Sequence, residues 1–177
     1  MNPRLSVVVI TPDTYATVSR TVQALHRQRN RGELEILLCV RTRADAEPAP
    51  TLWRDFHAVH ILEIGPVRVI AEAKASATRQ ASAPLGVFAG EHSFPAEGWA
   101  EALIERHRES HAAVGPVLVN PNDRMAISWA NFLIEYGPWM APCEGGLRTH
   151  LPGNNSCYKR DILISFGDRL GHARILL

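Results

Sequence analysis

Apolar residues fall along this chain in short runs, divided by segments where they recur every three or four positions. The run Ser6-Val-Val-Val-Ile10 stops at Thr11-Pro12-Asp13, and Tyr15, Val18, Val22 and Leu25 then follow at helical spacing, so the pattern predicts strand, turn and helix. Leu34 to Val40 is almost wholly apolar, as a parallel strand covered on both faces must be. Ala58 to Ile64 reads as a third strand closed by Gly65-Pro66, Ala71 to Ala83 as an alanine-rich helix carrying Glu72, Lys74 and Arg79, and Leu85 to Ala89 as a fourth strand. Beyond the polar loop Gly90 to Pro95, the spacing predicts a helix from about Glu97 to His111, a strand over Val114 to Val119 and a helix over Met125 to Tyr136.

Alternation of strands and helices implies an α/β protein, a mainly parallel sheet flanked by helices, Rossmann-like in plan. In such sheets ligands bind outside the carboxyl ends of the strands. Three polar loops are expected there: Thr11 to Thr14, Arg41 to Thr42, and Gly90 to Ser93. The stretch Arg41 to Thr51, with Pro48, Ala49 and Pro50, reads as a surface loop.

A length of 177 residues suits one domain spanning 1–177 and is long enough to bury a real core. With 46% apolar and 21% charged residues, and Lys plus Arg at 19 against Asp plus Glu at 18, the composition excludes a disordered chain and lacks the electrostatic footprint of a nucleic-acid binder. Cys39, Cys143 and Cys157 show neither zinc-site spacing nor a disulfide framework, which fits a reducing compartment. The apolar run Val7 to Ile10 is too short for a signal-peptide core or a membrane span, so the expectation is a cytoplasmic protein without a transmembrane segment.

Neither Gly-x-Gly-x-x-Gly nor a Gly-Lys-Ser/Thr phosphate loop follows the first strand, which disfavours a dinucleotide oxidoreductase. Asp13 and Thr14 are candidates to cap the first helix, and the Asp13 carboxylate is equally suited to accept hydrogen bonds from a base or ribose. Glu91 and His92 stand together after the fourth strand and are both ligands for a divalent ion, although an adjacent acid and histidine in a loop are more often simply solvated. Trp129 lies on a helical stripe with Phe132, Leu133 and Tyr136 and is expected in the core, while the other histidines are assigned to the surface or to helix ends. Gly153-Asn-Asn155 reads either as turn chemistry or as a set of amides suited to sugar hydroxyls.

Three segments resemble the family-two inverting glycosyltransferases, which have the GT-A nucleotide-sugar-binding fold. The opening Ser6-Val-Val-Val-Ile-Thr-Pro-Asp-x-Tyr-x-Thr-Val-x-Arg-Thr-Val-x-x-Leu25 is similar to the start of that family. Val87-Phe-Ala-Gly-Glu-His-Ser-Phe-Pro-Ala-Glu-Gly-Trp99 resembles its strand, acidic metal motif and Gly-Trp before a helix. Leu151-Pro-Gly-Asn-Asn-Ser-Cys-Tyr-Lys-Arg-Asp161 is similar to its segment lining the donor-sugar and acceptor region.

The resemblance implies a nucleoside-diphosphate sugar as ligand, transfer of the sugar with inversion to an acceptor whose identity the sequence does not show, and Mn²⁺ or Mg²⁺ as cofactor. By position, Thr11, Pro12, Asp13 and Lys74 would meet the nucleotide, Glu91 and His92 the metal, and Trp99, Trp139, Asn154, Asn155 and Tyr158 the sugar or acceptor. The family usually carries Asp-x-Asp or a close variant where this chain has Gly90-Glu91-His92, and an acid where it has Arg41. Its general base lies well downstream of the third segment, so the chain is expected to lack the usual C-terminal part. Asp161 is expected in the first turn of a helix rather than as that base, and Asp168 is a poor candidate. Apolar surface left uncovered would favour a homodimer. A non-catalytic binding module of the same fold, and more distantly a nucleotidyltransferase, are the alternative readings.

Overall fold

The computed structural model describes residues 2–47, 50–66 and 69–172. Pro48 and Ala49 of the expected surface loop lie outside the described residues, as do Met1 and the last five positions to Leu177. Strands β1 (Leu5–Ile10), β2 (Leu34–Val40), β3 (Ala58–Glu63) and β4 (Leu85–Ala89) alternate with helices α1 (Tyr15–His26) and α2 (Ile70–Gln80). After β4 come α3 (Trp99–Arg106), the two-residue β5 (Ala113–Val114), α4 (Ala126–Tyr136), β6 (Cys157–Lys159) and α5 (Arg160–Ser165). The six strands form one sheet in the order β3-β2-β1-β4-β6-β5. β1 to β4 are mutually parallel, and β6 runs antiparallel to both β4 and β5. This is the α/β, Rossmann-like GT-A arrangement.

Pleating decides which residues feed which layer, since successive side chains on a strand face opposite ways. Val7 and Val9 of β1 join Ile36, Leu38 and Val87 in a core with Val18, Val22 and Leu25 of α1 and Leu103 and Ile104 of α3. Val8, Leu37, Cys39 and Phe88 face the other way, onto Ala71, Ala75 and Ala77 of α2 and Leu163 of α5. Apolar residues therefore occupy both parities of β1 and β2, and all seven residues of β2 are buried. The small alanine side chains of α2 let that helix approach the sheet closely.

Several expectations need correction. Of the predicted strand Val114 to Val119 only Val114 pairs in the sheet, as the second residue of β5, and Leu118 instead bridges Met140. The strand β6 has no counterpart in the sequence reading, because three residues are too few to show a period. α3 ends at Arg106, short of His111, and His107 at its end is buried, with a ring nitrogen 3.2 Å from the Cys157 carbonyl. Thr14 occupies the N-cap position of α1, but its side chain makes no capping bond. α4 contains no buried residue. Trp129 is half-buried rather than core, its indole N–H donating to the Asp123 carbonyl at 2.8 Å and its ring edge-on to Phe132 at 6.1 Å.

The chain divides into two compact units, 1–114 with 153–177, and 115–152. The first holds the sheet, α1 to α3 and α5, and the second holds α4. In the second unit Val119, Ile127, Ile134 and Leu147 are exposed. Among the described residues no helix is long and apolar enough to cross a membrane.

All three cysteines are free, and burial pushes the thiols of Cys39 and Cys157 up to about 12. Thiolate is the reactive form, so a maleimide added to folded protein at neutral pH is expected to label Cys143 alone. Intact-mass spectrometry should show a single adduct before denaturation and three afterwards, matching the three cysteines present.

Candidate functional site

Register brings the functional loops to one edge. Val9 of β1 pairs with Ala89 of β4, and Ile10 with Cys39 of β2, so these strands finish together. The segments Thr11 to Thr14, Arg41 to Thr42 and Gly90 to Ser93 all leave the sheet at that carboxyl edge, as the alternation predicts.

Thr11 is fully buried; its amide donates to the Cys39 carbonyl at 3.0 Å, and its hydroxyl oxygen accepts from the Asp13 amide at 3.2 Å. These bonds hold the turn that leaves Pro12 and Asp13 exposed. On the neighbouring loop Arg41 donates to Asp45 at 3.3 Å, and Thr42 closes a capping box with the same carboxylate. The Arg41 and Thr42 hydrogen bonds hold the Asp45 carboxyl below the usual range.

The loop after β4 is anchored from α1. Thr21 donates its hydroxyl to the Glu91 carbonyl at 2.7 Å, and the Arg20 guanidinium lies 4.4 Å from the centre of the Phe94 ring. Gln28, buried just past the end of α1, donates to the Ala96 carbonyl at 2.9 Å and accepts from the Ala100 amide at 3.1 Å. Gly98, at φ 77°, makes the left-handed turn into α3 that a residue with a side chain would resist. Thr21 and Gln28 were not picked out from the sequence. Their signal was two polar residues at helical spacing on the apolar stripe Val18, Val22 and Leu25.

From the other side the loop meets the segment Gly153 to Ser156. Asn155, in the left-handed region at φ 66°, donates its backbone N–H to the Phe88 carbonyl at 2.6 Å and its side-chain amide to the Ser93 hydroxyl at 3.0 Å. A Cβ on Gly90 would fall 2.7 Å from the Ser93 hydroxyl oxygen and 3.7 Å from Asn154. Position 90 therefore has room for a side chain only if the Ser93 hydroxyl, and with it the Ser93–Asn155 contact, gives way.

Lys74, buried on α2, donates its ammonium to the Gly153 carbonyl at 3.1 Å and sits 5.2 Å from the centre of the Phe88 ring. Burial lowers its pKa. Tyr158 tilts over the same ring at 5.9 Å, and burial pushes its phenol up against the opposing pull of a hydrogen bond with Ser156.

Glu91 and His92 face each other, with His92 Nε2 3.6 Å from Glu91 Oε1 and the imidazole largely exposed. Glu91 Oε2 is buried and has no hydrogen-bond partner among the described residues. A buried carboxylate oxygen without a donor is unfavourable, and a cation or ligand would complete it. Among the described residues no group of three or more His, Cys, Asp or Glu side chains that could hold a metal ion converges.

The structure thus brings Glu91, His92, Asn154 and Asn155 to the end of β4, with Lys74 behind the Gly153 carbonyl and Thr11, Pro12 and Asp13 on the adjacent strand end; Tyr158 instead pairs with Gly86 near the start of β4 and packs on Phe88 in the core that faces α2. Trp99 opens α3 and packs against the hydrophobic core, and Trp139 lies in the 115–152 unit, its indole N–H donating to the His150 carbonyl at 3.4 Å.

Replacing Asn155 separates its backbone role from its side-chain role. Asn155→Gly tolerates the positive φ and loses only the bond to Ser93, an expected cost of about 1 kcal/mol. Asn155→Ala adds backbone strain for about 2 kcal/mol in all. Urea unfolding midpoints in that order check it; equal midpoints would contradict it.

No family model matches the sequence, and no curated protein matches it. Among solved structures, the chain is similar to the mannosyltransferase PcManGT from Pyrobaculum calidifontis, solved with GDP-Man and Mn²⁺, at 20% identity and a TM-score of 0.66, covering 94% of this chain and 47% of that one. It is also similar to S. aureus TarS residues 1–349 in complex with UDP-GlcNAc, at 14% identity and a TM-score of 0.61, covering 93% and 47% respectively. The complex of that TarS fragment with UDP gives the same TM-score, 0.61. The chain spans about half the length of these structures, and identities this low show a shared fold.

Proposed function

We propose that the carboxyl edge of the sheet binds a nucleoside-diphosphate sugar and that the chain is the donor-binding part of an inverting glycosyltransferase of the family-two type. The observation that carries this reading is the Glu91 carboxylate at the end of β4, with one oxygen buried and unpartnered. The fold shared with proteins solved with GDP-Man and with UDP-GlcNAc supports it.

In this reading the turn Thr11 to Asp13 receives the base and ribose, where the exposed Asp13 carboxylate accepts from donor groups. Lys74 lies behind the Gly153 carbonyl and adds positive charge beside the diphosphate. Asn154 and Asn155 line the sugar side, with Asn155 acting mainly by holding Ser93. Glu91 and His92 would hold the cation. A bound Mn²⁺ or Mg²⁺ would offset the charge that develops on the departing diphosphate.

In the transfer itself an acceptor hydroxyl attacks the anomeric carbon in line, the bond to the diphosphate breaks, and the configuration inverts. The hydroxyl proton needs a base. Asp161 does not fit that role, since it lies in the first turn of α5 beside the start of β4, at the opposite edge of the sheet from the donor site. Trp99, half-buried against the core, and Trp139 are the aromatic candidates for the sugar or acceptor side. Exposed Val119, Ile127 and Ile134 support self-association as part of this reading.

A second reading, a donor-binding module without transfer activity, is favoured by the single carboxylate where the related motif usually has more. Incubation with a panel of UDP-, GDP- and TDP-sugars, followed by chromatography of released nucleoside diphosphate, tests the proposal. Metal-dependent release from at least one donor is expected. Binding without release would leave the module, and neither binding nor release would remove both.

A further inference from the structure

We propose a second ligand site, for a small phosphate ester with an apolar body, on the amino edge of the sheet opposite the donor edge. β6 runs antiparallel to β4 with Lys159 paired to Leu85, so Lys159 and Arg160 arrive where β4 begins, beside Arg4 at the entrance to β1. A cavity of about 590 Å³ opens there, within the size range of small-molecule sites. Its floor includes Pro84, Leu85 and Ile104, and among the described residues its walls carry Arg4, Arg108, Lys159 and Arg160 with one carboxylate, Asp161. Arg4 and Arg108 have carboxylate partners outside the cavity, so Lys159 and Arg160 are its cations without one among the described residues.

The cations are arranged to receive an anion. Arg160 is pre-positioned: its amide donates to the Pro84 carbonyl at 2.9 Å, while Nε and Nη2 donate to the Thr78 and Arg79 carbonyls at 3.2 and 3.3 Å. Those carbonyls belong to the last turn of α2, so Arg160 both caps that helix and keeps Nη1 for a ligand. The Lys159 ammonium donates to the Glu109 carbonyl at 3.5 Å and meets no carboxylate among the described residues. Arg4 and Arg108 pair with Glu33 at 3.6 Å and Glu105 at 2.9 Å, but these carboxylates are substantially exposed. Exposed ion pairs contribute little, so both guanidiniums are readily redirected to a phosphate, which they bind in a planar fork. Asp161 makes no ion pair with these cations among the described residues, one of its oxygens accepting from the Ile162 amide at 2.8 Å. The apolar floor selects an ester over inorganic phosphate.

None of these residues belongs to the donor edge, so the proposal stands or falls independently of the glycosyltransferase reading. Calorimetric titration with phenyl phosphate in EDTA, where cation-dependent binding at the donor edge is silent, is expected to show one saturable site that weakens with added salt. Lys159→Ala and Arg108→Ala should each weaken it about tenfold, with unfolding midpoints unchanged. Arg160 is left intact because it caps α2. A parallel arm measures co-sedimentation with phosphatidylglycerol and phosphatidylcholine vesicles. Phenyl phosphate binding sensitive to Lys159→Ala identifies a soluble ester, and phosphatidylglycerol binding with the same sensitivity identifies a lipid headgroup; either supports the site. Absence of binding in both arms, binding indifferent to both substitutions, or phenol binding as tightly as phenyl phosphate would overturn it.

Discussion

Substituting Glu91 by alanine is expected to remove metal-dependent binding of nucleotide sugars, lowering affinity by about 100-fold or more, equivalent to ~2.7 kcal/mol. The same change should leave the fold at least as stable as before. Glu91 Oε2 has no protein donor to lose, and its other oxygen meets an exposed histidine at 3.6 Å, a contact of little worth. The anchor from Thr21 goes to the backbone carbonyl of residue 91 and survives the substitution. Calorimetry with Mn²⁺ and thermal unfolding read the two effects separately. Lost binding with an unchanged or raised Tm is the signature of a carboxylate kept for a ligand. Lost binding together with a falling Tm would make Glu91 a structural residue.

The opposite outcome is expected for Glu35. It is buried at the amino edge, where the Ser6 hydroxyl donates to it, Ser82 donates its amide at 2.8 Å and its hydroxyl at 2.7 Å, and His60 Nε2 lies 3.3 Å away. Ser6 in turn accepts from the Ala83 amide at 3.1 Å, so one carboxylate ties the starts of β1 and β2 to the segment entering β4. Glu35→Ala strands these donors and should cost about 3 kcal/mol without altering donor affinity.

Burial by itself pushes the Glu35 carboxyl up, but the Ser6 and Ser82 hydrogen bonds and the His60 charge outweigh it and hold the pKa below its ordinary value of 4.5. An acid depressed in the folded state stabilises above its unfolded pKa and loses that contribution as pH falls through the folded one. The gap between Glu35→Gln and the parent protein should therefore be fully open near neutrality and close in acid. Denaturant titrations at about pH 7 and about pH 3 measure it. A gap that widens in acid would contradict the sign.

The layered fold was legible because a strand buried on both faces must be apolar at every position, as Leu34 to Val40 is, and because α1 must show its stripe to that sheet. β6 was not, since Cys157–Lys159 is placed by antiparallel pairing with β4 rather than by its own pattern. The strand predicted through Val119 failed for a related reason: alternation shows what a segment tolerates, whereas pairing depends on a partner, and of that segment only Val114 finds β6.

At the site, Glu91 and His92 were legible as metal-ligating types at a strand end. The tight space at Gly90 was not, because it depends on Ser93 and on Asn154, which is remote in the chain. Thr21 and Gln28 gave only a faint trace, polar side chains on an apolar stripe, since what they bind are backbone carbonyls and an amide of a distant loop. Asn155 shows how the two levels differ. A Gly-Asn-Asn sequence suits both a turn and sugar hydroxyls, and the geometry gives it a left-handed turn that also holds the acidic loop.

The most direct test of the donor-site account is a crystal soaked with UDP and Mn²⁺, with data collected at an energy where manganese scatters anomalously. The account predicts an anomalous peak within coordination distance of Glu91 Oε2, with the diphosphate bridging it toward the turn Thr11 to Asp13. Nucleotide bound elsewhere, or manganese absent from residue 91 while UDP occupies the edge, would contradict it.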